Sequence, residues 1–361
     1  MYLAMPFSLP LRCVARIATL GLALNLIGCA GIAQWPFADR RNVVTPAPSD
    51  RFALPADGSD VIGQVQVTIA RHEDTLHDIA RRYDLGYEEI VAANPGVDPW
   101  LPGEGTRVVL PTQFVLPARN REGLVLNLAA MRLFYFPAPR QGETPVVITH
   151  PIGIGREGWQ TPKGRTRITQ KIVQPYWTVP ASVLKEYEEN GEPLDPIVPP
   201  GPDNPLGSHA MRLSLPSYLI HGTNKSYGVG MRVSHGCVRL YPEDIVRLFP
   251  EVPVGTRVHI INEPYAAGWR GGTLYLEAHK PLAEEAAQAA EKLAALEQRL
   301  AVRAAYENVS IDWRRAKQVA EAARGIPVAI SAGSPDLDGT LASAPRVPSE
   351  PYWAEADYAD L

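Results

Sequence analysis

From Gly123 to Asn262 the apolar residues come in short runs rich in Val, Ile, Thr and Tyr: LVLNLAAMRLFYF, PVVITHPIGIG, GRTRITQKI, MRLSLP, SYLIHGT and TRVHIIN. Each run is bounded by turn residues, and runs of this length and composition read as strands. The region is therefore expected to fold as a mainly β domain, sandwich or barrel-like, and no arrangement dominated by helices fits it. Punctuation is dense along the whole chain, with 35 prolines and 29 glycines, which calls for many ordered turns and extended connections. At 361 residues the chain also exceeds the ~250–300 at which one core stops growing, so further folded units are expected.

Different periods appear on either side. VQVTIA (Val65–Ala70) alternates like a strand, DTLHDIARRYD (Asp74–Asp84) places Leu76, Ile79, Ala80 and Tyr83 on one helical face, YEEIVAANP gives a second short helix, and TRVVLP closes as a strand. This is a small βααβ module. The segment Asn190–Ala210 is rich in proline and expected to be an ordered loop or lid. Pro242 opens a helix that offers Ile245, Leu248 and Phe249 for burial. Ala283–Tyr306 carries Leu293, Leu296 and Leu300 at helical spacing, a further helix and a return strand follow to Ser331, and the tail from Ala332 reads as disordered. The expected class is α+β and multidomain: signal segment 1–28, tether 29–60, βααβ module 61–112, mainly β domain 120–263, helical extension 264–331 and tail 332–361.

At the N-terminus, Arg12 and Arg16 precede the apolar run Ile17–Gly28, which is shorter than the ~20 residues a membrane span needs and reads as a targeting signal. It ends in LIGC, Leu26–Cys29, which resembles the lipobox of bacterial lipoproteins. That likeness implies cleavage before Cys29, lipidation there, and, because Ala30 rather than aspartate follows, the periplasmic inner leaflet of the outer membrane. The net charge of −4 gives no reason to expect nucleic acid as a partner. Of Cys13, Cys29 and Cys237, one leaves with the signal and one is the lipidation candidate. Cys237 remains as a lone thiol in an oxidising compartment, a pattern that favours chemistry over a structural role.

Cys237 lies in SHGCVRL (Ser234–Leu240), downstream of HGT (His221–Thr223). A thiol is nucleophilic only as thiolate and needs a neighbouring base or cation. His221, at the end of an apolar strand, and His235, two residues before the cysteine, are both candidates on spacing alone. Gly236 permits a tight turn whose amides can face an oxyanion. No metal centre is expected, because Cys237, His221, His235 and His209 lack a second cysteine or an i, i+4 histidine pair.

HGTNKSYGVGMRVSHGCVRL (His221–Leu240), with TPKG at Thr161 and NPLG at Asn204, resembles the signature of the YkuD-type L,D-transpeptidase catalytic domain over about Gly123–Asn262. The resemblance implies a cysteine acyl transfer without a cofactor. Cys237 attacks a peptidoglycan tetrapeptide stem, D-alanine leaves, and an amine of a second stem or of a lipoprotein takes the acyl group; water as acceptor would give a hydrolase instead. His221 matches the base, with its other ring nitrogen held by the Gly222 carbonyl. Ser234, His235 and Gly236 match the oxyanion and substrate-binding turn, and Arg239 stands where many members have asparagine, which favours contact with a substrate carboxylate. Val65–Pro111, with DTLHDIA and NPGVDPWLPG, resembles a LysM domain, implying glycan binding for which Asp74, Thr75 and Asn94 are the candidates. A non-catalytic wall tether is the competing expectation.

Overall fold

The structure is a computed structural model that describes residues 50–139 and 141–349. The expected signal segment, Cys29, most of the tether and residues 350–361 lie outside the described residues.

The chain begins with β1 (Arg51–Ala53), β2 (Val61–Gly63), β3 (Gln66–Ile69), α1 (Leu76–Arg82), α2 (Tyr87–Ala93), β4 (Arg107–Leu110) and β5 (Gln113–Val115). It continues with β6 (Gly123–Asn127), β7 (Arg132–Phe136), β8 (Val146–Pro151), β9 (Ile154–Gly155), β10 (Gly164–Val173), β11 (Trp177–Thr178), α3 (Ala181–Glu189) and β12 (Ile197–Val198). Then come β13 (His209–Leu213), β14 (Leu219–His221), β15 (Arg232–Ser234), β16 (Val238–Arg239), α4 (Pro242–Glu251) and β17 (Arg257–Ile261). The last elements are β18 (Tyr265–Arg270), β19 (Thr273–Ala278), α5 (Ala286–Tyr306), α6 (Trp313–Ala322), β20 (Val328–Ala329) and α7 (Leu337–Ser343).

Among the described residues, nine strands form one sheet in the order β1-β8-β7-β6-β17-β10-β13-β14-β16. Strand β10 serves two neighbours, with Gly164–Arg167 paired to β17 and Ile168–Val173 to β13, and the handover falls at a bulge beside Ile168. A bulge bends its strand and increases twist, so the sheet curls into a half-barrel. Its inner face receives Ile245 and Leu248 of α4, each worth ~1.5–3 kcal/mol of burial.

Strands β6 and β7 are buried on both faces. Leu124, Leu126, Leu133 and Tyr135 join the α4 side, while Val125, Phe134 and Phe136 join Leu76 and Ile79 of α1, Leu85 of the α1–α2 connection and Ile90 of α2 on the other. Double burial explains why LVLNLAAMRLFYF is apolar almost throughout instead of alternating. The βααβ unit is therefore packed on the sheet through a shared core. Its strands β3 and β4 pair antiparallel, Gln66 with Leu110 through Ile69 with Arg107.

Polar contacts fix this joint. Arg132 of β7 binds both carboxylate oxygens of Glu89, with Nη2 2.7 Å from Oε2 and Nε 3.0 Å from Oε1, and also reaches the Asp84 carbonyl at 2.9 Å. Tyr87 and Glu88 donate their amides to the carbonyls of Val229 and Gly230. A Cβ on Gly230, whose φ is +74°, would meet Gly86 Cα at 2.3 Å, so only glycine fits this approach. Beside them, donor atoms of buried Asp84, His150 and Asp244 lie within 4.8 Å of one another. Arg247 already sits 2.6 Å from Asp244. Burial, reinforced by Asp84, raises the Asp244 carboxyl well above the carboxylate range. Burial opposes the charge on Asp84, but His150 and Arg132 outweigh it and hold that group ionised.

Two sequence expectations are corrected. Residues 51–53 of the expected tether form β1, which pairs with β8 through Arg51 and Ile148; three residues carry no readable period, and the partner is remote in sequence. The described part of the tail, expected to be disordered, contains α7, whose Leu337 and Leu341 pack with Val65, Val67 and Val109. Val347 is 1% exposed. Its amide donates to Val67 O at 2.8 Å, and the Val67 amide donates to Pro345 O at 3.0 Å, which adds a parallel rung beside β3. Leu337 and Leu341 stand at helical spacing, but short polar flanks hid that signal. In the extension, α5 and α6 bury Leu296, Leu300 and Ala316 against β18 and β19.

Candidate active site

His221 ends β14, and Cys237 immediately precedes β16. The two strands are parallel, with Ile220 opposite Val238 and His221 opposite Arg239. Ile220 and Val238 point into the core under α4. Alternation therefore places Leu219, His221, Cys237 and Arg239 on the opposite face.

His221 is 3% exposed. Its Nδ1 lies 2.6 Å from Gly222 O; a carbonyl only accepts, so Nδ1 carries the hydrogen and Nε2 is left as acceptor. Burial, aided by the Arg239 charge, drops its pKa to about 3, so the imidazole is neutral at pH 7. Cys237 is half-buried with Sγ 3.6 Å from Ser217 O. Burial pushes its thiol up, against the pull of the Leu219 amide and Arg239. The site thus rests with a protonated thiol and a neutral imidazole, not a thiolate and an imidazolium.

The turn before the cysteine is internally braced. Ser234 Oγ donates to Cys237 O at 2.6 Å and accepts from the Gly236 amide at 3.1 Å. Thr161 Oγ1 donates to Gly236 O at 2.9 Å and accepts from the Gly155 amide at 3.0 Å. Gly236 has φ +101°, and a Cβ there would meet Tyr218 at 2.8 Å. The substrate-facing roles expected of Ser234 and the Gly236 amide are corrected: both groups are occupied in holding the turn.

Against known proteins, the YkuD L,D-transpeptidase catalytic domain matches residues 121–260. A probable L,D-transpeptidase ErfK/SrfK of Salmonella typhimurium is 41% identical over 292 residues, covering 79% of this chain and 93% of that protein. The chain belongs to the L,D-transpeptidase family. Probable L,D-transpeptidase YbiS of Escherichia coli K12 is 43% identical over 273 residues, covering 74% of this chain and 86% of its own. Mycobacterium tuberculosis L,D-transpeptidase 1, a solved structure, is 20% identical with a TM-score of 0.27 over 44% of this chain and 67% of that one.

In this L,D-transpeptidase, His235 is held rather than free. Its ring stands edge-on to Trp159 at 4.8 Å, and its Nε2 lies 3.1 Å from Glu186 and 3.2 Å from Arg156. Glu186 belongs to α3, just before the proline-rich segment Asn190–Ala210, and pairs with Arg156. Asn204 pins that segment, donating Nδ2 to Pro175 O at 2.8 Å. Arg156, Trp159 and Glu186 escaped the sequence reading because they lie outside the signature, although a tryptophan in the loop GREGWQTP was a visible signal. His209 packs edge-on against Phe249.

Arg239 is fixed by its backbone, which exchanges hydrogen bonds of 2.8 and 2.9 Å with Gly153. Its side chain lies near Cys237, Tyr187 and Tyr227, its Nε is buried without a partner, and no carboxylate pairs with it among the described residues.

The glycan candidates are also corrected. Asp74 is 3% exposed and ion-paired with Arg82 at 2.7 Å and Arg71 at 3.0 Å. Thr75 and Asp78 form the capping box of α1. Asn94 is buried and joins Ile90 O, Val109 O and the Val109 amide. All three hold the module together. The exposed surface instead presents Trp100, 62% exposed, with the Tyr87 ring 6.1 Å away.

Proposed function

We propose that this L,D-transpeptidase works on the cell wall, taking an acyl group from a tetrapeptide stem and passing it to an amine. The supporting observation is the shared face of β14 and β16, which carries the buried neutral His221 and Cys237 together. The Cys237 sulfur attacks the carbonyl between diaminopimelate and the terminal D-alanine while its proton passes to His221 Nε2. The negative charge developing on oxygen falls to the Cys237 amide, since the Gly236 amide is occupied. Collapse breaks the C–N bond, the proton moves to the leaving amine, and a thioester remains. An acceptor amine then attacks the thioester, gives its proton to His221, and restores the thiol.

The acceptor is a second stem, giving a cross-link, or a lipoprotein; a thioester serves either. The βααβ unit is read as a LysM module that holds glycan on the Tyr87–Trp100 surface, because flat exposed aromatic faces suit amphipathic rings. Lipidation at Cys29 would tether the enzyme to the periplasmic side of the outer membrane.

Intact-protein mass spectrometry of wild type and Cys237→Ala with a disaccharide tetrapeptide tests this. A thioester adduct and released D-alanine, both dependent on Cys237, are expected. D-alanine release by the alanine variant would refute the assignment.

A further inference from the structure

We propose that Arg239 is a specificity-determining residue that binds the free carboxylate terminating the donor stem, one residue beyond the bond Cys237 opens. This rests on the acyl-transfer reading above and assigns the part of the donor that the site reads.

The geometry carries it. Cys237 and Arg239 are two apart on an extended segment, so their side chains leave the same face about 6.6 Å apart. In the donor, the scissile carbonyl carbon and the terminal carboxylate carbon are separated by one residue, about 3.5 Å. A carboxylate held by a guanidinium fork at about 2.8 Å therefore sets the carbonyl one residue inward, beside the thiol. A chain longer by one residue would move the reactive carbonyl away from the sulfur by the same step.

The state of Arg239 supports a ligand over a structural partner. Several other buried or half-buried arginines here pair with acids: Arg132 with Glu89, Arg232 with Glu284 and Arg156 with Glu186. Arg239 has none among the described residues, although its Nε is buried without an acceptor. Burial depresses its pKa, the mark of a cation removed from water without compensation, and an unpaired buried charge is costly unless something pairs with it. The guanidinium is also held ready, because Gly153 bonds its backbone amide and carbonyl, and Gly228, where a Cβ would lie 3.6 Å from Nη1, leaves space beside it. The diaminopimelate side-chain carboxylate is the rival occupant, and a donor amidated there separates the two.

The test compares three donors on wild type and Arg239→Gln: the tetrapeptide stem, the same stem ending in a D-alanine carboxamide, and the stem amidated on the diaminopimelate side chain. Acylation of Cys237 is followed by intact mass. Wild type is expected to lose about 10- to 100-fold on the terminal carboxamide, the range of a hydrogen bond to a charged group, and little on the side-chain amide. Arg239→Gln is expected to lose the same factor on the unmodified stem and nothing further on the carboxamide. Alkylation of Cys237 by neutral iodoacetamide is the control for folding and thiol activation. An equal loss in alkylation would mean that Arg239 acts through the sulfur, which overturns the proposal. Discrimination retained by Arg239→Gln, or falling on the side-chain amide, overturns it as well. A wild type that alkylates normally but is acylated by no donor would remove the acyl-transfer reading, and this inference with it.

Discussion

Arg132 of β7 and Glu89 of α2 meet at 2.7 Å inside the protein, with side chains 2% and 5% exposed. Arg132 also lies over the Phe114 ring at 4.2 Å. The pair joins the βααβ unit to the central strands of the sheet, so the two cannot separate without exposing a charge pair together with an apolar core.

Removing one partner should cost far more than removing both. Glu89→Gln leaves the guanidinium buried and unpaired, a loss of ~3–5 kcal/mol, whereas an apolar pair such as Arg132→Met with Glu89→Leu should recover much of it. Urea denaturation of the three variants checks this, and a double variant as unstable as the single one would count against the account.

Gly230→Ala should strain the contact between the module and the loop leading to the cysteine turn, since the added carbon meets Gly86 Cα at 2.3 Å and the backbone is left-handed. A loss of ~1–3 kcal/mol is expected, with faster hydrogen exchange at the Tyr87 and Glu88 amides. Unchanged protection there would show that the approach relaxes freely.

Stability should fall on the acid side partly through His221. In the unfolded chain its pKa is near 6.5, and folding lowers it to about 3, so between these values the unfolded state binds the extra proton. The contribution is complete above pH 6.5 and is lost as pH falls toward 3. Melting temperatures measured from pH 7 to 4 should drop more steeply for wild type than for His221→Asn. Parallel curves would remove His221 from the explanation.

The thiol should titrate late. Burial raises Cys237 above its ordinary 9.0, so the rate of iodoacetamide alkylation is expected to reach its midpoint above that pH. A midpoint near pH 6 would instead indicate a preformed ion pair with the imidazole.

Much of this site was legible in the sequence because it is local. His221, Gly222 and Cys237 lie within one continuous signature, and strand alternation places the side chains of His221 and Cys237 on one face. The curl of the sheet was less legible, since it depends on one bulge in β10 and on which neighbour each half of that strand meets. Polar residues read as ligand contacts, Asp74, Asn94 and Ser234, proved to be fasteners, because a side chain that bonds its own loop and one that bonds a ligand have the same composition. Arg156 and Glu186 were invisible for the opposite reason: thirty positions apart, they meet only once α3 is in place.

The rung formed by residues 345–347 beside β3 has a consequence for biosynthesis. Thr68 and Pro348, joined by a hydrogen bond, are 280 positions apart, so a growing chain makes this N-terminal strand long before the segment that covers it. Until then its backbone groups stand open, the condition under which strands pair with the wrong partner. Trimming that segment from the mature protein would reopen the same edge, so a protease acting near one end of the sequence would be felt first at the other.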